Sequence, residues 1–309
     1  MRNAFAKELT RLAAEDPRVV LLSGDIGNRL FDELKAVAPG RFHNCGVAEA
    51  NMTGVAAGLA TFGFRPVTYT IAPFATVRCL EQIRVDLCYQ NLPVIVVGTG
   101  AGLSYMELGP THHACEDLGL LRTLPNMTLL CPCDPIEVGL ALRAALKQDG
   151  PVYLRLGKKG EPKLHREVPE FRIGKAITLR PGTDACLLAT GNAVALGLEV
   201  AERLQAEGRS VRVESVHTVK PLDLALLQEL SARYPLVATL EEHSLIGGLG
   251  AAVGEWVVDQ GPVGFRLLRF GTGDRFLETV GSQEYGRAQF GLTAERVAEA
   301  LRRALVSPR

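Results

Sequence analysis

Short apolar runs rich in β-branched residues alternate along the first half of the chain with stretches whose apolar positions recur at helical spacing. The runs Val19 to Leu22, Pro66 to Ile71, Pro93 to Gly98, Met127 to Cys131 and Val152 to Leu156 read as strands. Helices are predicted between them from about Asn3 to Glu15, Glu49 to Thr61, Ala75 to Tyr89, Cys115 to Arg122 and Ile136 to Lys147. Strands that are apolar at successive positions are buried on both faces. The alternation therefore predicts a mostly parallel sheet with helices on each side.

From Gly157 to about Gly182 the rhythm fails: Glu161-Pro162-Lys163, Pro169 and Pro181-Gly182-Thr183-Asp184 give a polar stretch punctuated by proline and glycine. This predicts a crossing between domains, with a first domain over 1–160, a linker over 161–183 and a second, smaller α/β domain over 184–309. In that second domain strands are predicted for Ala185 to Ala189, Val211 to Val216, Leu236 to Glu241 and Phe265 to Phe270. The helices there are Ala193 to Ala206, Asp223 to Tyr234, about Gly250 to Val258 and Thr293 to Leu305.

The composition fits that picture and narrows the chemistry. A chain of 309 residues with 47% hydrophobic content can build two ordinary cores. Its 34 basic and 34 acidic residues cancel, and Lys158-Lys159 is too short a basic run to suggest a nucleic-acid or anionic membrane surface. Small molecules and proteins are the expected partners. The amino-terminal segment has charges at helical spacing rather than an apolar signal core, and no run of apolar residues is long enough to span a bilayer, so a cytoplasmic location is expected. The seven cysteines form no Cys-x-x-Cys pair and no zinc spacing with histidine. They read as reduced core thiols, and no metal ligand is expected in this chain.

Several polar residues stand where apolar packing would be expected. Glu49, in Gly46-Val47-Ala48-Glu49-Ala50-Asn51-Met52, heads a helix of small residues (Gly54, Ala56, Ala57, Gly58, Ala60) that reads as packing surface. It either favours the helix dipole or shares a proton with a ligand nitrogen. Gly109-Pro110-Thr111-His112-His113 forms a rigid turn that projects imidazoles from a loop, as a ligand site or as a solvated turn. Phe74, where a strand gives way to a helix, could stack on a flat ring or belong to the core. Asp25, ending the first strand, is a cap or a site residue. Arg155 and Lys158 could meet an anion or line an interdomain rim. Gly98-Thr99-Gly100-Ala101-Gly102 lacks the third spacing of a dinucleotide loop and no helix opens immediately behind it, while Gly247-Gly248-Leu249-Gly250 reads as close backbone packing at a strand-to-helix turn.

In order along the chain, these segments resemble the thiamine-diphosphate enzymes of the transketolase group, including the deoxyxylulose-phosphate synthases. The resemblance is carried by Gly24-Asp25-Ile26-Gly27, Cys45 to Met52, Pro73-Phe74, Gly109-Pro110-Thr111-His112, Leu124-Pro125-Asn126, Lys220-Pro221-Leu222-Asp223, Glu241-Glu242-His243 and Ile246 to Gly250. It implies a pyrimidine-binding domain followed by the family's C-terminal domain. It also implies that Glu49 hydrogen-bonds the aminopyrimidine N1′, favouring the tautomer that takes the thiazolium proton, and that Phe74 stacks on the same ring. Asp25 would lie near that pocket, and His112 would face substrate hydroxyls or a developing alkoxide.

The family holds the diphosphate and its Mg2+ on a Gly-Asp-Gly segment, which this sequence lacks. With the chain opening on its own methionine where longer members carry that domain upstream, the resemblance implies half of a split enzyme. The cofactor and Mg2+ would then be anchored by a separate diphosphate-binding subunit, the pair doubling to an α2β2 heterotetramer. The expected reaction is transfer of a two-carbon ketol unit from a ketose to an aldehyde. Departures from the family pattern fall on the substrate side. Leu108 stands where transketolases have an acid, Gly100-Ala101-Gly102 where they offer a histidine and the synthases an arginine, and Ile71 where an aromatic lies near the pyrimidine. Lys158 matches a transketolase arginine and Arg155 a synthase one, as phosphate anchors. A pocket short of polar groups discriminates hydroxyl stereochemistry less well. Two rival readings share the fold: the β subunit of a 2-oxo-acid dehydrogenase, and a regulatory or scaffolding subunit without cofactor.

Overall fold

The computed structural model describes residues 1–158 and 160–306. Lys159 of the short basic pair and residues 307–309 lie outside it. Twelve strands are described: Val19–Ser23 (β1), Phe42–Asn44 (β2), Arg65–Ile71 (β3), Ile95–Thr99 (β4), Thr128–Leu130 (β5), Val152–Leu156 (β6), Ile177–Arg180 (β7), Ala185–Ala189 (β8), Val211–Ser215 (β9), Thr218–Lys220 (β10), Leu236–Ser244 (β11) and Arg266–Thr272 (β12). They form two sheets, in the orders β10-β5-β6-β4-β3-β1-β2 and β12-β11-β8-β9-β7. Neighbouring strands are parallel except for the pairs β10–β5 and β7–β9, which close one edge of each sheet. The protein is thus a two-domain α/β chain, as the sequence pattern predicts.

The strand alternation sorts the first core into two layers. Val19 and Leu21 of β1, Ile95 and Val97 of β4, and Val152 and Leu154 of β6 face the helices Arg2–Glu15 and Pro135–Ala145. Val20, Leu22, Val96 and Tyr153 face the other way, onto the helices Glu49–Thr61 and Asp117–Arg122. Asp134 fixes the start of the helix Pro135–Ala145, accepting from the amides of Ile136 and Glu137 at 2.9 and 2.8 Å. In the second domain the helices Ala193–Ala206 and Ala294–Val306 cover one face, and Leu224–Arg233 and Leu249–Gln260 the other.

Several features depart from the sequence pattern. Residues Ala75 to Tyr89 are not one helix but a series of short turns: Ala72–Ala75, a 3-10 turn Val77–Cys79, Leu80–Gln82 and a π-turn Ile83–Tyr89. Pro73 starts the helix early, and Thr76, with its hydroxyl donated to the carbonyl of Ala72 at 2.7 Å, leaves helical geometry at φ −115°. Strand β7 lies within the segment expected to be a linker and pairs with β9. Strand β10, from the second half of the chain, pairs with β5 and extends the first sheet. Lys220 at its end donates to the carbonyls of Arg122 and Leu124 at 3.0 and 2.5 Å, closing the C-terminus of the helix Asp117–Arg122. No described helix is long and apolar enough to cross a membrane.

Candidate active site

The chain leaves β1 toward β2 on one side and returns to β3 on the other. This reversal opens a crevice beyond the carboxyl ends of β1 and β3, the position where open α/β sheets hold ligands. Three segments converge on it: Gly24-Asp25 after β1, Glu49 at the head of the helix after β2, and Ile71 to Phe74 after β3. A methyl group on Gly24 would come within 3.0 Å of Thr70 Oγ1 and 3.3 Å of Glu49 Cγ, so the missing side chain lets these segments close on one another.

Glu49 is only 2% exposed. Its Oε2 accepts from Arg78 Nη1 at 2.8 Å, and Thr70 Oγ1 approaches Oε1 at 3.5 Å. Arg78 is 44% exposed, and its guanidinium carbon lies 4.3 Å from the Phe74 ring centroid. The His112 ring meets Phe74 edge-on, with centroids 5.2 Å apart. Tyr105 packs against His112 at 6.0 Å, and Lys158 lies 4.6 Å over the Tyr105 ring while pairing with Glu107. Burial lowers the His112 pKa below its ordinary value, so at neutral pH the imidazole is uncharged; its Nδ1 lies 2.9 Å from Thr111 Oγ1. The result is one contiguous line of side chains, from a buried acid through an aromatic face to a neutral histidine and a lysine.

Of the residues singled out in the sequence, Glu49, Phe74, His112 and Lys158 are brought onto this line. Ile71 is buried at the last position of β3, opposite Thr99. Asp25 is exposed in the adjacent loop, in a left-handed conformation (φ 57°), and accepts from Asn44 Nδ2 at 2.8 Å. Leu108, 47% exposed, ends the 3-10 turn Met106–Leu108 in the loop that carries His112.

Arg155 is elsewhere. It is 1% exposed and donates from Nε and Nη2 to the Asp117 carboxylate at 2.7 and 3.0 Å. The same Nη2 reaches the carbonyls of Ala114 at 2.6 Å and Glu242 at 3.0 Å. The guanidinium ties the two domains together through Nε and Nη2, which matches the interdomain alternative read for it, while its buried Nη1 has no hydrogen-bond partner among the described residues.

Arg78 and Tyr105 were not singled out by the sequence pattern. Arg78 lies in the 3-10 turn that follows Phe74, past the break at Thr76, so no regular helical spacing marks the pair in the sequence. Tyr105 leaves its signal in Gly100, which sits at φ 86° and where a Cβ would lie 2.0 Å from the tyrosine ring. That glycine makes room for an aromatic side chain, while the amides of Gly100 and Ala101 both donate to the Leu156 carbonyl at 2.9 Å. At Gly102 a Cβ would lie 2.5 Å from Glu242, whose buried carboxylate accepts from Leu103 N at 3.0 Å, Asn192 Nδ2 at 3.0 Å, Gln283 Nε2 at 2.9 Å and the Arg287 guanidinium. The second domain thereby holds the loop that presents His112. The Gly247–Gly250 turn is likewise filled from within, because Glu241 accepts from the amides of Leu249 and Gly250 at 2.7 Å each.

Cys133, Glu137 and His165 also lie within 4.8 Å of one another, in a buried cluster between the domains. The Glu137 carboxylate is already bonded there, to His165 Nε2 at 2.8 Å, Cys133 N at 2.8 Å and Ser215 Oγ at 3.1 Å. Burial and the neighbouring Glu137 charge hold the Cys133 thiol well above its ordinary pKa, in its protonated form. The cluster reads as interdomain hydrogen bonding.

Comparison with known proteins places the chain among relatives of the same two-domain organisation. Residues 1–162 match the family described as transketolase, pyrimidine binding domain, and residues 174–297 match transketolase, C-terminal domain. The chain is 38% identical over 301 residues to the 6-deoxy-6-sulfo-D-fructose transketolase subunit SqwH of Clostridium sp. (strain MSTE9), covering 97% of this chain and 92% of that one. It is 38% identical over 303 residues to 1-deoxy-D-xylulose-5-phosphate synthase 2 of Geobacter sulfurreducens, covering 96% of this chain but only 48% of the synthase. Among solved structures, one described as a split gene transketolase, inactive beta4 tetramer, superposes with a TM-score of 0.89 at 38% identity, over 100% of this chain and 98% of the other.

Proposed function

The chain belongs to the transketolase family, and we propose that it is the pyrimidine-binding subunit of a split, thiamine-diphosphate-dependent transketolase that moves a two-carbon ketol unit from a ketose to an aldehyde. The observation that carries this reading is the pairing of a buried carboxylate, Glu49, with a partly buried aromatic ring, Phe74, at the β1/β3 crevice. The same pair already grips a planar nitrogen group, the Arg78 guanidinium, by one hydrogen bond and one ring contact. That donor and acceptor set fits an aminopyrimidine, which presents a flat face and in-plane nitrogens.

When bound, thiamine diphosphate supplies the acidic thiazolium carbon and the electron sink that cleavage next to a carbonyl needs. Glu49, 2% exposed and closed in by Gly24 and Thr70, would hold a proton at the ring nitrogen, and Phe74 would fix the ring plane. His112, neutral at working pH, can donate to an oxygen that gains charge and accept from a hydroxyl that loses a proton. Lys158, over Tyr105, supplies positive charge at the far end of the substrate path.

On the strength of the split relatives, of which this chain covers 92% and 98%, we assign the diphosphate and its Mg2+ to a separate subunit, in an α2β2 assembly. The names of the two split-transketolase relatives support a divided enzyme. The chain spans about half the length of the synthase that it matches. Mixing this chain with the candidate partner, thiamine diphosphate and Mg2+ is expected to give ketol transfer that neither subunit gives alone. A mixture that binds the cofactor yet releases acyl groups from a 2-oxo acid onto a lipoyl domain would replace the proposal by the dehydrogenase reading. A mixture that binds no cofactor would replace it by the scaffolding one.

His112 gives a second test of the same site. Replacement by alanine is expected to lower kcat/KM for ketol transfer by roughly 10²-fold, the usual worth of one positioned general acid-base group. Cofactor affinity should change little, because His112 touches the Phe74 edge and not Glu49. Steady-state kinetics together with calorimetric titration of the cofactor separate the two effects, and an equal loss in both would remove His112 from the substrate side.

A further inference from the structure

We propose that Arg78 is a stand-in for the cofactor's aminopyrimidine ring, occupying its place in the free subunit and yielding it when the cofactor arrives; the inference rests on the thiamine-diphosphate reading above. The two contacts assigned to the ring are a hydrogen bond to Glu49 and stacking on Phe74. Arg78 makes both, with Nη1 2.8 Å from Glu49 Oε2 and its guanidinium carbon 4.3 Å from the Phe74 centroid. A guanidinium and an aminopyrimidine share the features that matter here: each is planar, each can put an N–H against a carboxylate (the pyrimidine once its N1′ is protonated), and each packs its face on an aromatic ring. They cannot use the same carboxylate oxygen and the same ring face together.

The arrangement also meets a need of the subunit by itself. Glu49 is 2% exposed, and thiamine diphosphate is to be anchored by its diphosphate on another chain. Without a cation beside it, the acid would be a buried unpaired charge, which destabilises a fold far more than a surface one does. Arg78 supplies the charge from a side chain that remains 44% exposed. A pair with one partner so solvated is held by a preference of no more than roughly fivefold, so it closes the site without locking it. Release needs no domain movement, because Arg78 is an exposed residue in the short turn Val77–Cys79.

The test uses the intact chain alone, so it does not depend on identifying the partner. The probe is the ring by itself, 4-amino-5-hydroxymethyl-2-methylpyrimidine, followed by ligand-observed saturation-transfer NMR titration. Arg78→Ala is expected to bind it roughly fivefold tighter than wild type, the gain from removing a competing occupant. Phe74→Ala added to Arg78→Ala is expected to abolish the signal, placing the probe on the same ring face. Arg78→Met, which keeps the apolar stem and removes the donors, serves if the alanine variant melts early, with the same gain expected. A probe that binds Arg78→Ala and Arg78→Met no better than wild type, including no binding to any of them, overturns the proposal. If ketol transfer is nonetheless observed in the wild-type mixture, the function stands and only the role of Arg78 falls. Absence of ketol transfer and of cofactor binding in that mixture removes the function itself.

Discussion

Glu49→Gln is expected to reduce ketol transfer by about 10²–10⁴-fold while leaving the subunit folded, because the change removes proton exchange at a ring nitrogen and little else. Glutamine keeps the length and planarity of the side chain, and its amide oxygen can still accept from Arg78. The lost charge pair has one half-exposed partner, so its removal should change stability by no more than about 1 kcal/mol. The competing account, a glutamate that merely favours its helix dipole, predicts a stability loss of about 0.3–1 kcal/mol and no kinetic effect. The measurement is therefore two-sided: ketol-transfer rate in the reconstituted enzyme, and the denaturation midpoint of the isolated chain. Activity within about tenfold of wild type would show that the acid is not in the proton path.

Much of this site could be read from the sequence, and the reasons differ by residue. The helix Glu49–Thr61 has the predicted bounds, since its small residues and preceding glycine leave one reading, and an acid among them stands out. Strands Val152–Leu156 and Ala185–Ala189 also have the predicted bounds, because continuous apolar runs flanked by proline, glycine or aspartate are unambiguous. What the sequence hid are partnerships across long separations. Arg155 carries the same charge whether it faces a substrate or Asp117, and only the tertiary arrangement shows that it is sealed between domains. Glu242 looks like any glutamate until Gly102, 140 residues earlier in the chain (242 minus 102), proves to be the space it fills. The helix Gln283–Gln289, which sends Gln283 and Arg287 to that same carboxylate, was missed because it has almost no apolar face; its one local signal is the Ser282 cap, accepting from Tyr285 N at 3.1 Å. Edge strands β2 and β10 are too short and too polar for periodicity to reveal.

Asp117→Asn is expected to destabilise the chain by about 3–5 kcal/mol, the cost of leaving a buried guanidinium without its counter-charge. Both side chains are 1% exposed, and the Asp117 carboxylate also accepts from Tyr153 Oη at 2.7 Å. Arg155 cannot relax toward water, since its Nη2 is held by the carbonyl of Ala114, in the loop that carries His112, and by that of Glu242 in the second domain. Loss of the pair should therefore loosen the loop and the domain contact together, lowering the denaturant midpoint. Replacing both members by apolar residues, Asp117→Leu with Arg155→Met, should recover much of the loss, because a well-packed apolar pair avoids the desolvation that the ions bear. The pH dependence follows from the same geometry. Burial pushes the Asp117 carboxyl up, but the Arg155 charge and hydrogen bond outweigh it and hold the pKa below the ordinary value of 3.8. A depressed carboxylate contributes stability that is fully present above its unfolded pKa and lost as pH falls through the folded one. Wild type should thus lose stability below about pH 4 by a step that the double apolar variant lacks. Were Arg155 instead a substrate anchor, its replacement would raise KM for a phosphorylated sugar at unchanged stability, so denaturation and kinetics of Arg155→Met alone decide between the two roles.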